Sequence, residues 1–79
     1  MKAYYVDLVR GSHFTLIAGP FPDEPTARRY ELVAVNKAFQ LDARRQFDRF
    51  GVTSVEGYSA PGELNDEIDI DPADLLTLH

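Results

Sequence analysis

The sequence of 79 residues contains no cysteine. Neither a disulfide framework nor a thiolate metal site is therefore available to stabilise the fold. Long apolar runs are also lacking: none approaches the roughly 20 residues of a membrane-spanning helix, and residues 1–5 contain no apolar signal core. We expect one small soluble domain in the cytoplasm, near the lower size limit at which a hydrophobic core is stable unaided.

Lysine and arginine are absent after position 49. Residues 1–60 carry eight basic and seven acidic side chains, whereas residues 61–79, the acidic segment, carry six acidic and no basic ones. A segment of this sign repels phosphate and attracts basic surfaces, so we expect it to bind a partner. Its acids are Glu63, Asp66, Glu67, Asp69, Asp71 and Asp74.

Large aliphatic side chains are interleaved with these acids. We expect them to dock the segment on residues 1–60 and hold the carboxylates in place, because a fixed surface needs less ordering on contact. The aliphatic residues are Leu64, Ile68, Ile70, Leu75, Leu76 and Leu78.

Residue patterns for catalysis, cofactor binding and metal binding are missing. The histidines are His13, on a predicted turn, and His79, the last residue, and neither position suits a catalytic base. The scattered glycines form no phosphate-binding motif. Asp69 and Asp71 lack the nearby Gly and Glu that a calcium-binding loop requires. We therefore predict a protein that is not an enzyme, with no catalytic residues, no cofactor and no metal site.

The first third of the sequence predicts a β-hairpin. Ala3–Val9 and Phe14–Gly19 are rich in strand-forming residues, and Gly11 suits the first central position of a type II′ turn. Both faces of this hairpin are largely apolar. The following helix can cover one face, and the other needs the C-terminal segment, a second copy or a partner protein. The turn predicts that Val9 faces Phe14, Asp7 faces Leu16 and Tyr5 faces Ala18.

Proline and glycine at residues 18–22 predict that the second strand ends at Gly19. A helix is predicted from Glu24 to about Leu41, with Asp23 as its N-cap and Pro25 in its first turn. One apolar stripe of this helix suits packing on the sheet, and a second lies on an adjacent flank. The first stripe is Ala27, Tyr30, Ala34, Ala38 and Leu41, and the second is Leu32, Val35 and Phe39.

Further elements are predicted after the main helix. Asp42 suits the cap of a short helix at Ala43–Arg49, with Phe47 and Phe50 pointing inward and Gly51 as its stop. The pattern of Val52–Tyr58 predicts a third strand. The alternation of Ile68 and Ile70 with acidic residues predicts an edge strand, and Asp71 is predicted to begin a short helix. The fold class is thus α+β: a small antiparallel sheet of β-β-α-β order packed on one main helix. Residues 1–60 form the compact core, and residues 61–79 an acidic extension docked on it.

Arginine and lysine on the predicted helices form a candidate nucleic-acid footprint. Acidic residues are interleaved with them, however, which favours a solvent-exposed face of ion pairs. We expect Arg28 to pair with Glu24 or Glu31, and Arg45 with Asp42 or Asp48. The basic residues concerned are Arg28, Arg29, Lys37, Arg44, Arg45 and Arg49.

Residues 14–55 resemble small uncharacterised proteins of bacterial plasmids and phages. The shared pattern is a hairpin that ends in Ala-Gly-Pro-Phe at residues 18–21, a capped Ala-rich helix, and an Asp before a stretch ending in Phe-Gly. Asp42, Phe47, Phe50 and Gly51 match the second half of the pattern. The chain departs from it at Pro25–Thr26 and in its long acidic segment. The resemblance implies an accessory protein of a mobile element and carries no site residues.

Two functions of different class follow as hypotheses. In the first, the chain is a stoichiometric inhibitor, similar in size and charge to phage-encoded anti-CRISPR proteins, and blocks a host protein or ribonucleoprotein complex with a basic surface. Its partner-binding residues are the six acids of the acidic segment together with apolar anchors. The anchors are either the hairpin residues Tyr5, Val9, Phe14 and Leu16 or the helix flank Leu32/Val35/Phe39. In the second, the helix arginines bind nucleic acid and the acidic segment inhibits them. A monomer and a homodimer are both compatible with these hypotheses.

Overall fold

The computed structural model describes residues 2–44, 48–57 and 60–76. Within them, a three-stranded antiparallel sheet of order β2-β1-β3 packs against one α-helix. The predicted α+β class, with its β-β-α-β core on one main helix, is confirmed. The elements are β1 (Lys2–Arg10), β2 (His13–Phe21), α1 (Glu24–Leu41), β3 (Arg49–Glu56) and two 3₁₀ turns at Asn65–Glu67 and Pro72–Asp74.

The β1–β2 hairpin has the predicted turn and most of the predicted register. A type II′ turn requires a positive φ at its first central residue and a negative φ at its second. Gly11, the first, has a φ of 58°, and Ser12, the second, is not among the residues with a positive φ. Val9 pairs with Phe14 and Asp7 with Leu16, as predicted. The predicted pairing of Tyr5 with Ala18 is wrong, because β2 contains an extra residue at this point and Ala18 pairs with Val6.

β2 continues past Gly19, so the predicted end of this strand is wrong. Its outer edge faces the C-terminal chain, and an edge strand tolerates a proline. The Gly19–Pro20 peptide is cis, and Phe21 still pairs with Tyr4. The carbonyl of Pro20 accepts a hydrogen bond from the Leu76 N–H at 2.8 Å, which satisfies the backbone at this position from outside the sheet.

α1 begins and ends where the sequence predicts. The Asp23 carboxylate accepts the N–H of Thr26 at 2.9 Å, and this hydrogen bond holds the pKa of Asp23 below its usual range. Ala27, Ala34 and Ala38 are fully buried, and their small side chains let the helix lie close to the sheet.

The predicted short helix at Ala43–Arg49 is wrong at its C-terminal end, because Arg49 begins β3. Gly51, predicted as its stop, lies within the strand and pairs with Asp7. Phe50 pairs with Leu8 and contacts the Phe39 ring edge-on at 5.6 Å between centroids, so the sheet offers it more apolar contact than a local helix. The inward position predicted for Phe47 lies outside the described residues.

The predicted edge strand at Ile68 and Ile70 is also wrong. The chain here leaves the first 3₁₀ turn and runs irregularly, yet both side chains pack against the core. Asp71 does cap a helical turn, as predicted, since its carboxylate accepts the Ala73 N–H at 3.0 Å. None of the helices in the described part of the chain is long and apolar enough to cross a membrane.

Both faces of the sheet are covered over at least part of their area. Val6 and Leu8 belong to the core under α1. Ala3 and Tyr5, which alternate with them, are fully buried on the opposite face. The Tyr5 hydroxyl donates to the Ala60 carbonyl at 3.1 Å, so the chain after β3 covers this end of the second face.

Candidate functional site

Three backbone hydrogen bonds attach the start of the acidic segment to the outer edge of β2. The N–H groups of Gly62, Glu63 and Leu64 donate to carbonyls of β2 at 3.0, 2.9 and 2.8 Å. The Leu64 side chain is buried in the core. Because the Glu63 N–H binds the Leu16 carbonyl, an acid is fixed beside a predicted apolar anchor.

Asn65 fastens the next turn to the same edge. Its Oδ1 accepts the Gly19 N–H at 3.0 Å, and its Nδ2 donates to the Gly19 carbonyl. This double contact orients the 3₁₀ turn that carries Asp66 and Glu67, which are both exposed. No local pattern predicts this role of Asn65, because its partner Gly19 lies 46 positions away along the chain.

A second anchor lies on α1. The Tyr30 hydroxyl donates to Asp74 Oδ2 at 2.6 Å, and Arg29 Nη2 donates to Asp74 Oδ1 at 2.9 Å. The hydrogen bond to Asp74, assisted by burial, raises the pKa of Tyr30. Asp74 was predicted to bind a partner, but both of its oxygens are engaged within the chain. These contacts attach the second 3₁₀ turn to α1.

The other five acids of the segment are exposed. Asp71 uses its carboxylate to cap the second turn. Across residues 2–44, 48–57 and 60–76, the remaining four side chains form no ion pair and no hydrogen bond, so their charge is not neutralised locally. These four free acids are Glu63, Asp66, Glu67 and Asp69.

Unlike the four free acids, most of the described arginines form ion pairs within the chain. Arg28 binds Glu24 at 3.3 Å and Glu31 at 3.1 Å, which confirms the predicted pairing. Arg10 binds Asp48 through two hydrogen bonds of 2.7 and 2.9 Å.

Asp42 binds Arg44 at 3.1 Å, and this contact lowers the pKa of Asp42 and raises that of Arg44. The pairing predicted for Arg45 lies outside the described residues. Among the cations that are described, Lys2, Lys37 and Arg49 form no ion pair.

The apolar anchors divide into accessible and inaccessible residues. Tyr5 has no exposed surface, so its side chain is not accessible to a partner in this structure. Phe14 is 56% exposed, and Leu16 and Val9 are partly exposed. The sequence could not separate Tyr5 from Phe14, because the chain segment that covers Tyr5 comes from beyond β3.

A cleft with basic side chains lies between the hairpin turn and the start of β3. It is lined by Arg10, Arg44 and Arg49, together with Asp48. Two of these three guanidinium groups already bind carboxylates, so the cleft has little free positive charge. No group of three or more metal-ligating side chains occurs in the described portion of the chain.

The comparisons with known proteins give no relative of this chain. No protein-family model matches it, and neither the curated proteins nor the solved structures contain a significant match.

Proposed function

We propose that this protein is a stoichiometric inhibitor encoded by a mobile element, and that it binds a basic surface of a nucleic-acid-handling complex in the host cytoplasm. The observation that carries the proposal is the state of the four free acids. They are exposed and not neutralised within the described chain, while the segment bearing them is fastened to β2 and α1. This arrangement resembles that of an anti-CRISPR protein that occupies a nucleic-acid channel.

Fixed carboxylates suit this role for a physical reason. Negative charge on a protein surface accelerates association with a basic partner and selects against wrong partners. A loose acidic tail would lose conformational entropy on binding, whereas a segment held by backbone hydrogen bonds loses less.

Phe14 and Leu16 supply the apolar part of the proposed interface. Charge alone gives modest affinity, and binding energy in protein complexes concentrates in a few buried anchors, often aromatic. Phe14 is the most exposed aromatic residue of the sheet, and Leu16 lies directly beside Glu63. The free acid Glu63 and the apolar anchor Leu16 therefore lie side by side in the proposed interface.

The test is affinity capture of a host nucleic-acid-handling complex, followed by binding of the purified pair. The test variant replaces the four free acids: Glu63→Gln, Asp66→Asn, Glu67→Gln and Asp69→Asn. The matched control, Glu24→Gln with Glu31→Gln, neutralises one exposed and one half-buried acid that already bind Arg28. We expect the test variant to weaken binding at least about tenfold and the control to change it little, because only the free acids face a partner.

Binding by the native chain should also weaken as salt rises and be competed by the nucleic acid of the complex. A complex that binds both variants equally, or no retained complex of this class, would contradict the proposal.

The alternative function, nucleic-acid binding inhibited by the acidic segment, has weaker support because most described arginines are already paired. Truncation after Ala60 would remove the buried Leu64, so the full-length four-acid variant is the better reagent. If the segment is an autoinhibitor, this variant gains salt-dependent binding to duplex or single-stranded DNA that the native chain lacks.

A further inference from the structure

The two outer edges of the sheet differ. The edge of β2 receives backbone hydrogen bonds from residues 62–64 and from Leu76. The edge of β3 receives none from the described residues. β3 is eight residues long, contains no proline, and carries charge only at its ends, Arg49 and Glu56. An open strand edge of this kind is a template for pairing with another strand.

The flank of α1 above this edge is also uncovered. Leu32, Val35 and Phe39 lie on one side of the helix, and the contact between Phe39 and Phe50 places that side over β3. Leu32 is 68% exposed and Phe39 37% exposed. The other flank of the helix, around Lys37, is lined by residues 67–69 of the acidic segment. The segment thus covers one flank and leaves the apolar flank on the β3 side open.

We propose that a second copy of this chain covers the β3 edge and the Leu32/Val35/Phe39 flank together. Antiparallel pairing of β3 with β3 of the second copy gives one continuous six-stranded sheet with both helices on the same side. The two-fold axis of this pairing is perpendicular to the sheet. When the two strands overlap along their full length, the axis passes beside Val52 or Thr53, in the middle of Arg49–Glu56.

The side chains of β3 can face those of β3 in the second copy without repulsion. With the axis at Val52, Phe50 faces Ser54 of the second copy; with the axis at Thr53, Val52 faces Ser54. Neither register opposes like charges within the strand.

The helices complement the strands. Leu32 lies about two helical turns before Phe39 on the same flank, and the Phe39 ring contacts Phe50 of β3. A two-fold axis at the middle of β3 therefore brings Leu32 of one copy towards Leu32 of the other. The most exposed large apolar side chain of the described residues is then removed from water, which a small domain with a limited core needs.

The dimer leaves the β2 edges, with their free acids, at the two far ends of the sheet. The inference does not depend on the proposed inhibitor function, and its test uses the isolated protein.

Sedimentation equilibrium of the native chain from about 5 to about 500 micromolar should show a concentration-dependent species of twice 8.9 kDa. Leu32→Glu should make the chain monomeric, because it places two carboxylates together at the axis. The matched control is Val33→Glu, at a site 45% exposed on the other flank, and it should remain dimeric. Circular dichroism of both variants checks that the fold is intact.

Hydrogen exchange then locates the interface. In the native dimer, the β3 amides that point away from β1 should exchange slowly, and in Leu32→Glu they should exchange quickly. A native chain that is monomeric over the whole range would overturn the proposal and leave the β3 edge to another protein. A dimer that survives Leu32→Glu, or one whose outward β3 amides exchange quickly, would also overturn it.

Discussion

Asp7 is a carboxylate in the central strand with 8% of its surface exposed. In the part of the chain that the structure describes, no hydrogen bond or ion pair reaches it. Burial raises its pKa above the usual 3.8, the charge of Glu31 adds to the rise, and Arg28 partly opposes it. The folded protein therefore holds the Asp7 proton more tightly than the unfolded chain does.

This difference predicts how stability depends on pH. Between 3.8 and the higher pKa of the folded state, the folded chain carries the extra proton, so the Asp7 contribution to the free energy of unfolding falls as pH rises through this window. We expect Asp7→Asn to raise the free energy of unfolding at pH 7 by up to about 1 kcal/mol, since it removes a desolvated charge. Urea unfolding of both proteins at pH 7 and pH 4 measures the effect.

The gain should shrink at the lower pH, where a larger fraction of Asp7 in the native chain is protonated. A variant that is less stable than the native chain at pH 7 would show that the ionised carboxylate has a stabilising partner.

At the scale of single elements, the attachment of the acidic segment depends on the absence of a side chain at Gly62. A Cβ there would lie 2.5 Å from the Cα and the N of Ala18. Both are backbone atoms, so the contact is relieved only if the segment moves away from β2. We expect Gly62→Ala to lower the free energy of unfolding by about 1–3 kcal/mol, the usual cost of overpacking. Urea unfolding measures the loss.

Hydrogen exchange at the Glu63 and Leu64 amides should accelerate in the same variant. Gly51→Ala is the matched control, because its Cβ would meet Asp7 Oδ1 at an ordinary 3.7 Å and its backbone needs no positive φ. If the two variants were equally stable, the close approach of Gly62 to β2 would not be what holds the segment.

Elements specified by neighbouring residues were predictable from the sequence, and those set by distant contacts were not. Asp23 predicts the start of α1 because the cap acts on Thr26, three positions away, and Gly11 likewise predicts its turn. The bulge near Ala18 and the extension of β2 through Pro20 depend on chain that arrives more than 40 residues later. No local pattern encodes those contacts.

The same distinction applies to the candidate site. The charge of the acidic segment is visible in the sequence, but which acids are free is not. Asp74 differs from Asp69 only because Arg29 and Tyr30 lie within reach of it. Tyr5 and Phe14 are both strand aromatics, and they differ in exposure because residues around Ala60 cover one of them.

At the scale of the whole molecule, the net charge of −5 is unevenly compensated. Most described arginines bind acids near α1 and the hairpin turn, whereas the four free acids lie together along a short stretch of chain. Like charges held close together oppose folding, and dissolved salt screens them.

We therefore expect the Tm of the native chain to rise when sodium chloride is increased from about 0.02 to about 0.5 M, because this range shortens the screening distance severalfold. The four-acid variant should show a smaller rise, since its repulsion is already removed. Differential scanning calorimetry of both proteins compares the two slopes. Equal slopes would indicate that the repulsion lies elsewhere in the chain.

The attachment of residues 62–64 to β2 also has a consequence for the order of folding. These residues follow every strand and the main helix along the chain, so during synthesis β2 and the site of Leu64 stay exposed after the rest of the sheet has emerged from the ribosome. Contacts between such distant parts of a chain form slowly. Docking of the acidic segment should therefore be one of the last steps of folding, and until it occurs the nascent protein presents the unpaired edge of β2 to its neighbours.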